Sequence, residues 1–95
     1  MSIKRQAAGC RVVLTTDARR FFNDREVMQN RKSAALKVIE ALRKNPAPRV
    51  AMDLENGFYA IKLETDVITY KFDKKNNKVT IDDIVIDIGS LGIEY

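Results

Sequence analysis

The densest patterning lies between Asn56 and Asp87, where three apolar runs are separated by short polar breaks. After Asn56-Gly57, the residues Phe58, Tyr59, Ile61 and Leu63 alternate with smaller or charged ones, the period-two signature of a strand with one buried face. Glu64-Thr65-Asp66 interrupts the pattern. Val67 to Phe72 resumes it with β-branched and aromatic residues suited to a pleated, half-buried surface. Asp73 to Lys78 is a polar turn in which Asn tolerates the positive φ that glycine would otherwise supply. Val79 to Ile86 is the third strand. Links this short join antiparallel neighbours, because a parallel return needs about a dozen residues or more. The second half of the chain is therefore predicted to be an antiparallel meander.

The first half reads differently. Residues 1–9 are small and polar, an expected loose arm whose Lys4 and Arg5 are placed to reach a phosphate backbone. Arg11 to Thr15 is a short strand. Thr16-Asp17 follows as a helix N-cap pair, since their oxygens accept the unpaired amide hydrogens of a first turn. Ala18 to about Arg25 then forms a helix with Phe21 and Phe22 on its apolar side. The next boundary has two readings. Asn23-Asp24-Arg25-Glu26 has the spacing of a capping box and would start one helix running to Lys44. Alternatively, the first helix continues to about Met28 and Asn30 caps a second. In either case Ala35, Val38, Ile39 and Leu42 recur at helical spacing and face a core, while Arg31, Lys32, Lys37, Arg43 and Lys44 lie mainly elsewhere on the surface. Asn45-Pro46-Ala47-Pro48 stops the helix. Arg49 to Leu54 is a short strand or extended connection. The predicted fold is α+β, a single domain with an N-terminal strand and a helical hairpin packed on a three- to four-stranded antiparallel sheet.

Charge changes the picture more than bulk composition does. Residues 1–50 carry twelve Lys/Arg against four Asp/Glu, whereas residues 51–95 carry five against nine. A basic half can attract phosphate or an acidic protein partner. No run approaches the roughly 20 apolar residues of a membrane span, and the N-terminus lacks the apolar core of a signal peptide. The single cysteine, Cys10, precludes an internal disulfide framework and is expected as a small strand-edge residue. The expected location is the cytoplasm.

The chain has no histidine, which removes the usual general base and any Ser/His, Cys/His or His-dependent zinc chemistry. An enzyme of this composition works through Lys, Arg, Tyr or carboxylate groups, and no cofactor is expected. Lys62 is a candidate phosphate contact, and Arg49 and Lys71 join Lys4 and Arg5 as candidate nucleic-acid contacts. Tyr59 and Tyr70 are of a type that stacks on bases, but their places beside Ile61 and Phe72 predict packing instead. Asp82, Asp83 and Asp87 invite a cation, yet adjacent strand residues point to opposite faces, so the first two are not expected to share one ion. With Glu64 and Asp66 these acids make the sheet region acidic, which opposes RNA.

The element order, the helix ending ALKVIEALRKNP, and the meander FYAIKLETDVITYKF followed by KVTIDDIVI resemble the RelE/ParE toxin superfamily over roughly residues 11–87. The resemblance implies a toxin of a bacterial type II toxin–antitoxin module, neutralised by a small antitoxin laid over its sheet and helices. RelE-type members are ribosome-dependent endoribonucleases that cut messenger RNA without a metal, using Lys, Arg and Tyr side chains on the open sheet face. The resemblance assigns catalytic roles to Lys62, at a lysine position of that motif, and to Tyr95, near a C-terminal tyrosine. Ala60 and Glu64 stand where the family commonly has basic residues, and VITY lacks its arginine. Two alternatives therefore stay open: a ParE-type gyrase inhibitor, or an inactive binding protein on the same scaffold, such as a phage-encoded inhibitor.

Overall fold

The computed structural model describes residues 9–87. In chain order these form β1 (Arg11–Leu14), α1 (Thr16–Asn23), α2 (Gln29–Lys44), β2 (Met52–Glu55), β3 (Phe58–Lys62), β4 (Asp66–Asp73) and β5 (Lys78–Ile86). The strands make one sheet in the order β1-β5-β4-β3-β2. From β2 to β5 it is the predicted meander, with every neighbouring pair antiparallel. The sheet has five strands, more than the three or four expected. It is also mixed, because β1 lies parallel to β5, in register from Arg11 against Lys78 to Leu14 against Ile81. The two helices and the meander intervene between those strands, so the chain has ample length for a parallel return.

One face of the sheet is covered by the helices. Ile61, Ile68, Tyr70, Val79, Ile81 and Ile84 meet Ala18, Phe21, Ala35, Ile39 and Leu42 from the helical layer. Strand alternation fixes the rest: Tyr59, Phe72, Val12 and Leu14 pack on the same core, while their strand neighbours face away from it. Phe58 and Tyr59 are adjacent, so only one can turn inward. Tyr59 does, stacking on Tyr70 with ring centroids 5.4 Å apart.

Both expected helix starts shift. The cap of α1 is Thr15, whose hydroxyl accepts from the Ala18 amide at 3.2 Å and donates to the Asp82 carbonyl at 2.6 Å. The same residue's amide donates to the Ile81 carbonyl. Thr15 thereby ties the end of β1 and the start of α1 to a bulge in β5, where the register slips between Thr69 and Tyr70. Neither reading of the helical boundary holds: α1 ends at Asn23, and Asp24 takes the Glu26 amide in a local turn at 2.8 Å. The helix α2 then begins after Met28, with neither a side-chain cap nor an acid in its first turn.

Arg31, expected on the surface, is largely covered, and its Nε and Nη2 donate to the two carboxylate oxygens of Asp66 at 2.9 and 2.5 Å. Asp66 is 1% exposed and also accepts from the Thr65 hydroxyl at 3.1 Å. The guanidinium lies over the Phe21 ring, 5.5 Å from its centroid. The pair joins the first turn of α2 to the start of β4. At the other end of α2, the Cys10 amide donates to the Arg43 carbonyl at 2.8 Å, and its thiol meets the Leu42 carbonyl at 3.3 Å. Gly9 is needed for this approach, because a Cβ there would collide with the Arg43 carbonyl. Cys10 is buried rather than at a strand edge, and burial pushes its thiol up from the ordinary range, as befits an unreactive group.

Removing one partner of a buried, hydrogen-bonded ion pair leaves the other charge unpaired. Arg31→Leu should accordingly lower stability in urea denaturation by about 3 kcal/mol, and Asp66→Leu in the same background should restore much of the loss. Tyr70 gives a second test. Its ring is fully buried and its hydroxyl donates to the Pro46 carbonyl at 2.9 Å. Burial, then Tyr59 beside it, pushes its pKa up to about 12. The native state then holds this proton through a range in which the unfolded chain releases it. Its contribution to stability is present below the ordinary tyrosine value and is lost as pH rises from there towards 12. Denaturation midpoints measured across alkaline pH should fall over that window, and Tyr70→Phe should flatten the fall.

Candidate functional site

The face of the sheet turned away from the helices is the candidate site. Its rows follow from the strand register. Arg11, Lys78 and Asp73 are neighbours across β1, β5 and β4. Val13, Thr80, Lys71 and Phe58 form the next row, followed by Asp83, Thr69, Ala60 and Met52. Val85, Val67 and Lys62 make the last.

This face is not the acidic surface expected from the sequence. Asp66 is on the helix side and neutralised by Arg31. Glu64 is in the turn between β3 and β4. Asp83 accepts from the Ile84 amide at 2.9 Å, and Asp73 accepts from the Asn76 side chain at 2.7 Å, which lowers its pKa. Arg11, Lys62, Lys71 and Lys78 share the face with Asp73, Asp82, Asp83 and Asp87, so its charges balance rather than being acidic. The bulge also changes the geometry of the paired aspartates. Ile81 and Ile84 both face the core although three residues apart, so Asp82 and Asp83 both lie away from it, against the expected alternation. Even so, the described residues contain no group of three potential ligands able to hold a metal ion.

Lys62, at the end of β3, is on this face with its side chain 67% exposed. Its ammonium lies 3.1 Å from the Asp87 carboxylate. Asp87 follows β5 and is anchored by its amide, which donates to the Thr65 carbonyl at 2.8 Å. Lys71, on β4, is exposed on the same face, but four register positions away, roughly 13 Å along the strands. Its Nζ sits 5.5 Å from the centroid of the Phe58 ring. Arg49 is exposed in the turn before β2, away from the four rows. Lys4, Arg5 and Tyr95 lie outside the described residues. Tyr59 and Tyr70 face the core, so neither offers a stacking surface here. The aromatic ring that the open face does present is Phe58. Its outward side agrees with the alternation, in which Tyr59 is in phase with Ile61 and Leu63 and Phe58 with Ala60 and Lys62.

On the helical side, a groove of about 540 Å³ runs between α1 and α2. Leu14, Phe22, Leu36 and Ile39 line it together with Arg19, Arg43 and Glu40, the last two 3.9 Å apart. Among the described residues, no helix is long and apolar enough to cross a membrane.

An ammonium on an exposed strand can stabilise charge developing on a phosphate, provided its own counter-ion yields. Asp87→Asn should therefore strengthen retention of the folded protein on immobilised heparin, and Lys62→Ala in that background should abolish the gain. Equal retention of Asp87→Asn and the parent protein would show that the carboxylate does not restrain this lysine.

No family model matches the sequence, and no curated protein matches it. Solved structures do resemble it. A chain of the toxin–antitoxin complex RelBE2 from Mycobacterium tuberculosis superposes with a TM-score of 0.66 at 23% identity, covering 83% of this chain and 99% of that one. A chain of the archaeal RelE–RelB complex from Pyrococcus horikoshii gives 0.69 at 14% identity, covering 82% and 94%. The isolated E. coli RelE toxin gives 0.69 at 12% identity, covering 87% and 94%. The strand, helical hairpin and antiparallel meander of this chain thus have the fold of the RelE toxins.

Proposed function

We propose that the protein is the toxin of a type II toxin–antitoxin module, acting in the cytoplasm and held inactive by a small antitoxin. The observation that carries this reading is the likeness to RelE structures over nearly their whole length, two of them from complexes of toxin with antitoxin. The groove between α1 and α2 supports it: an apolar floor with charged residues beside it suits an amphipathic segment of an antitoxin.

Within that role, cleavage of messenger RNA on the ribosome is the leading activity. Lys62 on the open face supports it, and the chemistry would rest on charge stabilisation by Lys62 with Tyr95 as the second group, without a metal. A ParE-type action on DNA gyrase is the alternative within the toxin class. The Lys62–Asp87 pair favours a further reading, an inactive binding protein of RelE fold, because it occupies the one cation that the resemblance assigns to catalysis among the described residues.

Controlled expression in a bacterial host separates these readings. The expected outcome is growth arrest with an early fall in protein synthesis, relieved by Lys62→Ala. Toxicity that survives Lys62→Ala rules out the RelE-type mechanism. Arrest with filamentation and DNA damage points to gyrase, and unimpaired growth at good soluble yield points to the binding protein.

A further inference from the structure

We propose that Phe58 and Lys71 form a stacking platform on the open sheet face for an unpaired base of single-stranded RNA, with the neighbouring phosphate running towards Lys62. The inference rests on the RNA-directed reading above and adds to it a residue that the resemblance does not assign.

Phe58 begins β3 and is 41% exposed, the one aromatic ring in the exposed group among the described residues. It is not exposed by default. Its neighbour Tyr59 takes the inward position, which commits Phe58 to the opposite face. Lys71 is its direct cross-strand partner, and the 5.5 Å from Nζ to the ring centroid holds the cation at the aromatic surface. A base stacked on the ring would bring its own phosphate within the field of that ammonium. Lone exposed apolar side chains are ordinary on protein surfaces. The combination here is not a lone side chain.

From Phe58 the same face continues along β3 through Ala60 to Lys62, with Thr69 beside Ala60 on β4. Both intervening side chains are small, so the strip between the ring and the Lys62 ammonium is low. It spans roughly 13 Å, a reach suited to an extended strand that meets the ring at one end and the ammonium at the other. Arg11 and Lys78 carry positive charge beyond the Phe58 row. Every base has a face to stack, so a platform of this kind predicts little sequence preference.

The test is fluorescence anisotropy of a short labelled single-stranded RNA at low ionic strength, with circular dichroism confirming that each variant folds. Phe58→Ala should weaken binding about tenfold, the scale of losing one base–aromatic stack. Phe58→Leu, which keeps the apolar bulk without the ring, should lose as much, whereas Phe58→Tyr should bind like the parent. Lys71→Ala should reduce the slope of log affinity against log salt by about 0.7, one phosphate contact on a single strand. A 2-aminopurine in the RNA should be quenched on binding to the parent protein and not to Phe58→Leu. Parental binding by Phe58→Leu overturns the platform, as does a parent protein that binds no RNA. Growth arrest by a protein that binds no RNA removes this inference and leaves the toxin reading standing. RNA binding that depends on Phe58, without growth arrest, does the reverse. If the Phe58 variants lose a protein partner while RNA binding is unchanged, the patch is a protein contact and the inference falls.

Discussion

The forked contact between Arg31 and Asp66 sets how the helical layer sits on the sheet. A carboxylate with 1% exposure cannot stay charged in an apolar core without partners, and the guanidinium supplies two hydrogen bonds in one plane. That geometry aligns the first turn of α2 with the start of β4 more narrowly than apolar packing would. The adjoining turn reaches the other face. The turn between β3 and β4 closes by a bond from the Leu63 amide to the Asp66 carbonyl, and the Asp87 amide binds the Thr65 carbonyl beside it. Lys62 immediately precedes that turn, and Asp87 is its counter-ion. The buried pair on the helix side and the ion pair on the open side therefore flank the same turn.

The ends of the helices are held by the same kind of device, a distant group supplying what the local sequence omits. Orphan carbonyls at the end of α2 take hydrogen bonds from Cys10, whose sequence separation is more than thirty residues. The start of α1 is capped by Thr15, which also binds the bulged strand β5. These links cross between layers, so the small core is supplemented by directed polar contacts at its margins. For a chain of this length, apolar burial alone leaves a narrow margin of stability.

The legible parts of the fold were those set by local chemistry. The three strands after Asn56, their antiparallel order and the helix stop at Asn45-Pro46 follow from periodicity, link length and the geometry of proline. Asn77, at φ 51°, takes the left-handed position expected in the turn before β5. What escaped was non-local. Arg31 and Asp66 are 35 residues apart, and each alone looks like a solvated charge. The parallel pairing of β1 depends on where two helices return the chain. The bulge at Asp82-Asp83 shifts the phase between Val79-Ile81 and Ile84, which strict alternation through the strand does not anticipate. Of the site, the place of Lys62 on an open strand was legible. So was the outward side of Phe58, which shares its phase with Ala60 and Lys62 while Tyr59 runs in phase with Ile61 and Leu63.

The side that Phe58 takes bears on what the open face can do. Had Phe58 turned inward, the face would offer scattered ammonium groups over valines and threonines, enough to attract a polyanion but not to fix its register. Charge alone is sequence-blind and weakens quickly with salt. A ring held outward by the packing of its neighbour adds a short-range contact that salt does not screen. The low strip through Ala60 gives that contact a fixed separation from Lys62. The cations of the face are matched by acids, and Lys62 is tied to Asp87. An anion approaching Lys62 on such a face has to displace one carboxylate, so at that end of the strip the Lys62–Asp87 pair weighs more than total charge.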